Sequence, residues 1–175
     1  MDRLLPQAPV SESLRLENIE LHRRGYFNGD SLRPHLQTIA GLCKRHRVVS
    51  LLDFGSGKGE AWAMRERPDV LRDVHLTLYD PAVPGLHQLP DEVFDAVLCV
   101  DVLEHIPEDD LPGTLEAIAA RARKFVYLVV CCRPGTKLLP FSMVDVHVTV
   151  RREDWWRRLV AAHMHDLDVH LLFSK

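Results

Sequence analysis

Three apolar runs in this chain each stop on an aspartate, and no other feature constrains the fold as strongly. Val48-Val49-Ser50-Leu51-Leu52 ends at Asp53, Val74–Tyr79 ends at Asp80, and Phe94–Val100 ends at Asp101. Short, nearly continuous apolar runs bounded by polar turns suit strands buried on both faces, as in parallel sheets. Phe125–Cys132 and Leu167–Phe173 are further runs of this kind. Between them the period changes to that of a helix. Leu32, Leu36, Ile39, Ala40 and Cys43 share one helical face, with Asp30 or Ser31 as cap and Pro34 in the first turn. Leu111–Ala122 and Glu153–Ala162 read as helices, another is expected to begin near Glu60, and a short one fits Ser11–Arg24. Strands alternating with helices predict an α/β fold, a doubly wound and mostly parallel sheet covered on both faces.

The length of 175 residues fits one domain, with residues 1–29 as an N-terminal extension and 30–175 as the core. One unit is expected to be missing. Only Pro81–Val93 separates the second strand from the third, whereas a crossover with its helix takes about 10–12 residues or more, so a helix plus another strand does not fit. The strand ending at Asp80 should therefore lie at the sheet edge. No apolar run reaches the roughly 20 residues of a bilayer span, and the N-terminus has no apolar signal core, which predicts a cytoplasmic protein without a membrane partner. Cys43, Cys99, Cys131 and Cys132 lack metal-type spacing and read as free thiols, and no metal site is expected. Net charge is −3, which argues against a nucleic-acid partner. The basic clusters Lys44–Arg47, Arg121–Lys124, Arg151-Arg152 and Arg157-Arg158 read as solvated surface or as charges complementing helix ends.

In open parallel sheets ligands bind beyond the carboxyl ends of the strands, where the topology changes direction. Asp53-Phe54-Gly55-Ser56-Gly57-Lys58-Gly59, Asp80 and Asp101–His105 all fall at such ends. The glycines allow sharp turns and close approach of a ligand to the backbone. Asp80 has the chemistry to accept both hydroxyls of a ribose. A dinucleotide fingerprint starting at Gly55 would need glycine at position 60, where the chain has Glu60, and a carboxylate there meets a pyrophosphate badly.

With those residues in place, LLDFGSGKG resembles the first motif of class I S-adenosylmethionine (SAM)-dependent methyltransferases. LTLYDPA is similar to their second motif, and FDAVLCVDVLEHI to their fourth-strand segment. The resemblance spans roughly residues 48–173 and implies a Rossmann-like fold that releases S-adenosylhomocysteine (SAH). By that resemblance Gly55, Ser56, Gly57 and Gly59 approach the amino-acid portion of SAM, with Asp53 supporting the loop. Asp80 holds the ribose and Pro81 lies against the adenine, which Gln88 and Leu89 flank. Asp101, Val102 and Leu103 line the floor near the sulfonium. The chain departs from the family in the missing unit and in having only one strand after the last helix, a shortened version of the usual C-terminal hairpin.

Tyr26-Phe27 reads either as an aromatic lid, with Tyr26 stacking on the ligand, or as an anchor for the N-terminal helix. Lys58 reads as a solvated loop residue or a partner for a carboxylate, and Trp62 as packing. His147 and His105 are the candidates for general base or acceptor ligand: His105 follows the Asp101 strand end and so faces the top of the sheet, and the resemblance places the His147 segment beside the acceptor pocket. His22, His35, His46 and His75 read as surface or capping residues, and His163 and His165 as favourable charge at a helix end. One of Trp155 and Trp156 is expected to be buried, the other to wall the pocket. The expected reaction is methyl transfer to oxygen or nitrogen of a small metabolite or sugar by a monomer or homodimer. The alternatives are a macromolecular acceptor, RNA or protein, and a SAM-binding subunit without catalysis.

Overall fold

The computed structural model describes residues 4–65 and 67–174, so residues 1–3 of the expected extension and Lys175 of the expected core lie outside it. The chain runs α1 (Glu12–Arg23), α2 (Leu36–His46), β1 (Ser50–Phe54), β2 (His75–Tyr79), β3 (Phe94–Val100), α3 (Leu111–Ala119), β4 (Ala122–Cys131), α4 (Glu153–His163) and β5 (Asp168–Ser174). The strands form one five-stranded sheet in the order β2-β1-β3-β4-β5, and every pairing is parallel. β2 is an edge strand, and Pro81–Val93 contains neither helix nor strand. The single strand after the last helix, β5, runs parallel to β4, so among the described residues no hairpin remains at that edge.

Alternation along each strand separates two cores. Leu51, Ala96, Leu98, Phe125, Tyr127 and Val129 face α2, while Leu52, Val97, Cys99, Val126, Leu128 and Val130 face α3 and α4. Each of these side chains is at most 1% exposed, which is why the strands read as continuous apolar runs. On α4, Trp156 is fully buried, while Trp155 stands at the core margin with the Arg151 guanidinium 5.7 Å from its ring. Trp155 does not reach the cavity described below.

Three expectations need correction. No α-helix begins near Glu60; the chain makes a 3-10 turn over Glu60–Ala63 and another over Asp69–Leu71. Pro68 would lie inside a helix started at Glu60, where it lacks the N–H and pushes its predecessor out of helical conformation. Pro34 lies in a 3-10 segment, Asp30–His35, and α2 starts only at Leu36. Arg121 is not solvated but fully buried. Its Nε donates to the Pro90 carbonyl and its Nη1 to those of Pro6 and Ala117, at 2.6–2.9 Å. That guanidinium ties the N-terminal segment to the loop after β2.

Candidate active site

The sheet order reverses between β1 and β3, and a cavity lies at that end of the sheet. Its floor comes from Asp53 near the end of β1 and from Gly55, Ser56 and Gly57 of the loop after it. Asp80, Pro81 and Ala82 after β2 form one side; Asp101, Val102 and His105 after β3 form the other. The N-terminal segment supplies the roof through Ala8, Pro9 and Val10, through Leu14, Arg15, Asn18 and His22 of α1, and through Phe27.

Asp80 is fixed by its neighbours. Its Oδ2 accepts the Gly57 N–H at 3.0 Å and its Oδ1 the Ala82 N–H at 2.9 Å. A carboxylate has about four acceptor sites, so each oxygen keeps capacity for a further donor. His22 reaches down from α1, with Nε2 3.6 Å from Oδ1, and its buried Nδ1 has no hydrogen-bond partner among the described residues. Below the loop, Asp53 accepts the Trp62 indole N–H at 2.7 Å. Burial pushes the Asp53 carboxyl up to about 7, with the indole bond opposing and the charge of Asp80 adding to the rise. The glycine loop is shaped partly by its own chain. A Cβ on Gly55 would run into the Val102 side chain, and one on Gly57 into the Phe27 carbonyl.

Asp101 closes β3 in left-handed conformation, φ 51°, rare for a residue with a side chain. Its N–H bonds the Val129 carbonyl, and Ser174 Oγ donates to its Oδ1 at 2.8 Å. Glu104 beside it is fully buried, and Cys131 N–H donates to its Oε1 at 3.0 Å. Burial is the main reason its carboxyl is pushed up to about 8. His105 Nδ1 bonds the Val146 carbonyl at 2.8 Å, which makes Nδ1 the protonated nitrogen and leaves Nε2 as acceptor. Burial first, and the His147 imidazole second, bring His105 down to about 4, so its ring is neutral at physiological pH.

Of the residues singled out from sequence, Asp53, Gly55, Ser56, Gly57, Asp80, Pro81, Asp101, Val102 and His105 are brought together on this wall. Others lie off it. Gly59 packs against Leu78, Gln88 is exposed, Leu89 sits at the margin of the α3 and α4 core, and Leu103 is wholly inside that core. Tyr26 is 41% exposed under Lys137 Nζ, and Phe27 takes the wall position instead. His147 stands in a second row: its Nδ1 bonds the Arg133 carbonyl at 2.7 Å, and its ring lies 4.8 Å from that of His105. Lys58 is exposed at the loop tip.

The residues missed from sequence are those of the roof. His22, read as a surface or capping group, is buried. Arg15, Asn18 and His22 fall at i, i+3 and i+7 of α1, a helical face that carries polar rather than apolar side chains.

The family model for a methyltransferase domain matches residues 20–170. The chain belongs to that family. It is a class I SAM-dependent methyltransferase, and the match takes in β1 to β4, the first residues of β5 and the whole cavity floor. The roof residues ahead of position 20 precede the matched span. No curated protein matches the chain. Among the described residues, no helix of this methyltransferase is long and apolar enough to cross a membrane. The residues present fit the cofactor that the family implies. The carboxylate at the end of β2 lines the cavity with acceptor capacity to spare for a ribose.

Proposed function

We propose that this methyltransferase holds SAM in the cavity at the reversal of the sheet and transfers its methyl group to oxygen or nitrogen of a small metabolite or sugar. The observation that carries the small-acceptor reading is the roof. Residues before and within α1 cover the strand ends, so an acceptor has to fit beneath them rather than lie along an open groove. SAM supplies an electrophilic methyl carbon on a sulfonium centre, and the sulfur leaves without needing an acid.

What the chain contributes is alignment. Asp80 takes the ribose hydroxyls on its remaining acceptor sites, and Pro81 and Ala82 give the adenine an apolar surface. Gly55 and Asp101 bracket the amino-acid end. His105 presents Nε2 to the acceptor's O–H or N–H and orients it for in-line attack, and as the bond to the methyl carbon forms and the carbon–sulfur bond breaks the acceptor's proton passes to solvent. His147 acts through His105 by packing against its ring and by tying the loop after β4 to the site.

Methyl-labelled SAM and a panel of hydroxyl and amine metabolites test the proposal. Label should appear in a compound of metabolite size. Label retained on RNA or protein, with none in any small acceptor, would contradict it.

A further inference from the structure

At the other end of the sheet, three side chains from two elements converge. His46 is the last residue of α2, Asp168 and His170 lie on β5, and one potential ligand atom of each lies within 4.8 Å of the others. Register brings this about. Residues two apart on a strand share a face, and β5 pairs Asp168 with Phe125 and His170 with Tyr127. Phe125 and Tyr127 belong to the core that α2 covers, so Asp168 and His170 face the end of that helix. The rings of His46 and His170 pack on Phe125, with centroids 5.3 and 5.8 Å from it.

The distances are informative. His46 Nε2 and His170 Nε2 each stand 3.5 Å from the same oxygen, Asp168 Oδ2. That is at the outer limit of a hydrogen bond, and His170 Nε2 is shut off from solvent with no hydrogen-bond partner among the described residues. Ligand atoms about 2.0–2.2 Å from one tetrahedral zinc ion lie about 3.3–3.6 Å from each other. Each nitrogen thus stands from the oxygen as one ligand of such a shell stands from another, and the two nitrogens lie within 4.8 Å of each other. The carboxyl end of α2 adds the negative pole of its dipole, which favours a cation there.

We propose that His46, Asp168 and His170 form a zinc site, with water as the remaining ligand, that clamps the end of α2 to the edge strand β5. Two imidazoles and one carboxylate are an ordinary ligand set for Zn²⁺. The expectation of a chain without metal rested on cysteine spacing and on the one close histidine pair, His163 and His165, to which a group drawn from α2 and β5 is invisible.

Among the described residues a second group, Glu104, Cys131 and His147, also brings potential ligands within 4.8 Å of one another, so the test must separate the two. The full chain, stripped with a chelator, is titrated with Zn²⁺ by calorimetry and with Co²⁺ by absorption. One equivalent should bind. Cobalt should show the visible bands of a tetrahedral site without the near-ultraviolet thiolate band that Cys131 would give. With Zn²⁺ about a hundredfold above its Kd, the melting temperature should rise by about 5–10 °C. His46→Gln and His170→Gln, each checked for a native circular dichroism spectrum, should abolish binding, and His147→Gln should leave it unchanged. The two glutamine variants sit on different elements, so a folding failure in one leaves the other to decide. Absence of stoichiometric binding, a thiolate band, or binding that survives in either folded variant would overturn the assignment. None of these outcomes bears on SAM in the cavity.

Discussion

His22 of α1 places its Nε2 3.6 Å from Oδ1 of Asp80, so the roof of the cavity rests on the carboxylate proposed to hold the ribose. The contact joins a segment lying ahead of the sheet to the tip of its edge strand. In the proposed complex the same oxygen receives a ribose hydroxyl, and His22 closes over it. His22→Ala should therefore loosen the roof without removing a floor contact. Stopped-flow measurements with SAH should show dissociation about 3–10-fold faster, in line with the loss of one polar contact, and association little changed. An unchanged dissociation rate would mean that α1 does not hold the ligand in.

Gly57 adopts φ 56°, and a Cβ there would meet the carbonyl of Phe27. Gly85 adopts φ 84° with nothing near. Gly85→Ala should cost about 1–2 kcal/mol, the left-handed penalty alone. Gly57→Ala should cost more and should weaken SAH binding as well, because the 27–29 turn and the glycine loop cannot both keep their places. Urea denaturation of the two variants compares them directly. Equal losses would show that the turn yields freely.

Asp53 gives the enzyme a pH dependence of known sign. Its carboxyl is held up to about 7 by burial, against an unfolded value near 4. Between those values the folded chain keeps a proton on Asp53 that the unfolded chain has released, so the contribution of Asp53 to stability falls as pH rises from about 4 to 7, by at most about 1.4 kcal/mol per unit, and is level above. Asn in its place still accepts the Trp62 indole but does not titrate. Denaturation curves of Asp53→Asn across that range should lack this fall. The same slope in variant and wild type would contradict a protonated Asp53.

His105 is expected to orient rather than to store a proton. A ring whose pKa is held to about 4 is neutral throughout the physiological range and is a weak base. With an acceptor in hand, His105→Ala should lower turnover by about 10²-fold, while the wild-type rate shows no inflection near 6.5. An acidic limb centred there that disappears in His105→Ala would assign it the work of a general base instead.

The parts of this molecule legible in its sequence are those governed by local pattern. Leu51-Leu52-Asp53, Leu78-Tyr79-Asp80 and Val100-Asp101 mark both the strands and the rim of the cavity, because a buried parallel strand must be apolar and its polar end then stands out. The short Pro81–Val93 link likewise announces the edge position of β2. What was hidden depends on contacts between distant segments. Pro68 turns an expected helix into 3-10 turns. Arg121 looks like surface until Pro6, Pro90 and Ala117 are seen to point carbonyls at it. His22 and Phe27 join the site only because α1 folds back over the strand ends, and His147 falls behind His105 because its Nδ1 bonds the Arg133 carbonyl.

Asp80 is where the account is most exposed. If the cavity is the SAM site, calorimetric titration of the wild-type chain should show one SAH bound per chain. Asp80→Ala should weaken that binding by about 1.5–3 kcal/mol, a loss of roughly 10- to 150-fold, as charge-assisted bonds to the ribose disappear. Asp80→Asn, which keeps the shape and one acceptor, should fall between the two. No detectable binding of SAH by the wild type, or equal affinity in wild type and Asp80→Ala, would contradict the assignment of this cavity.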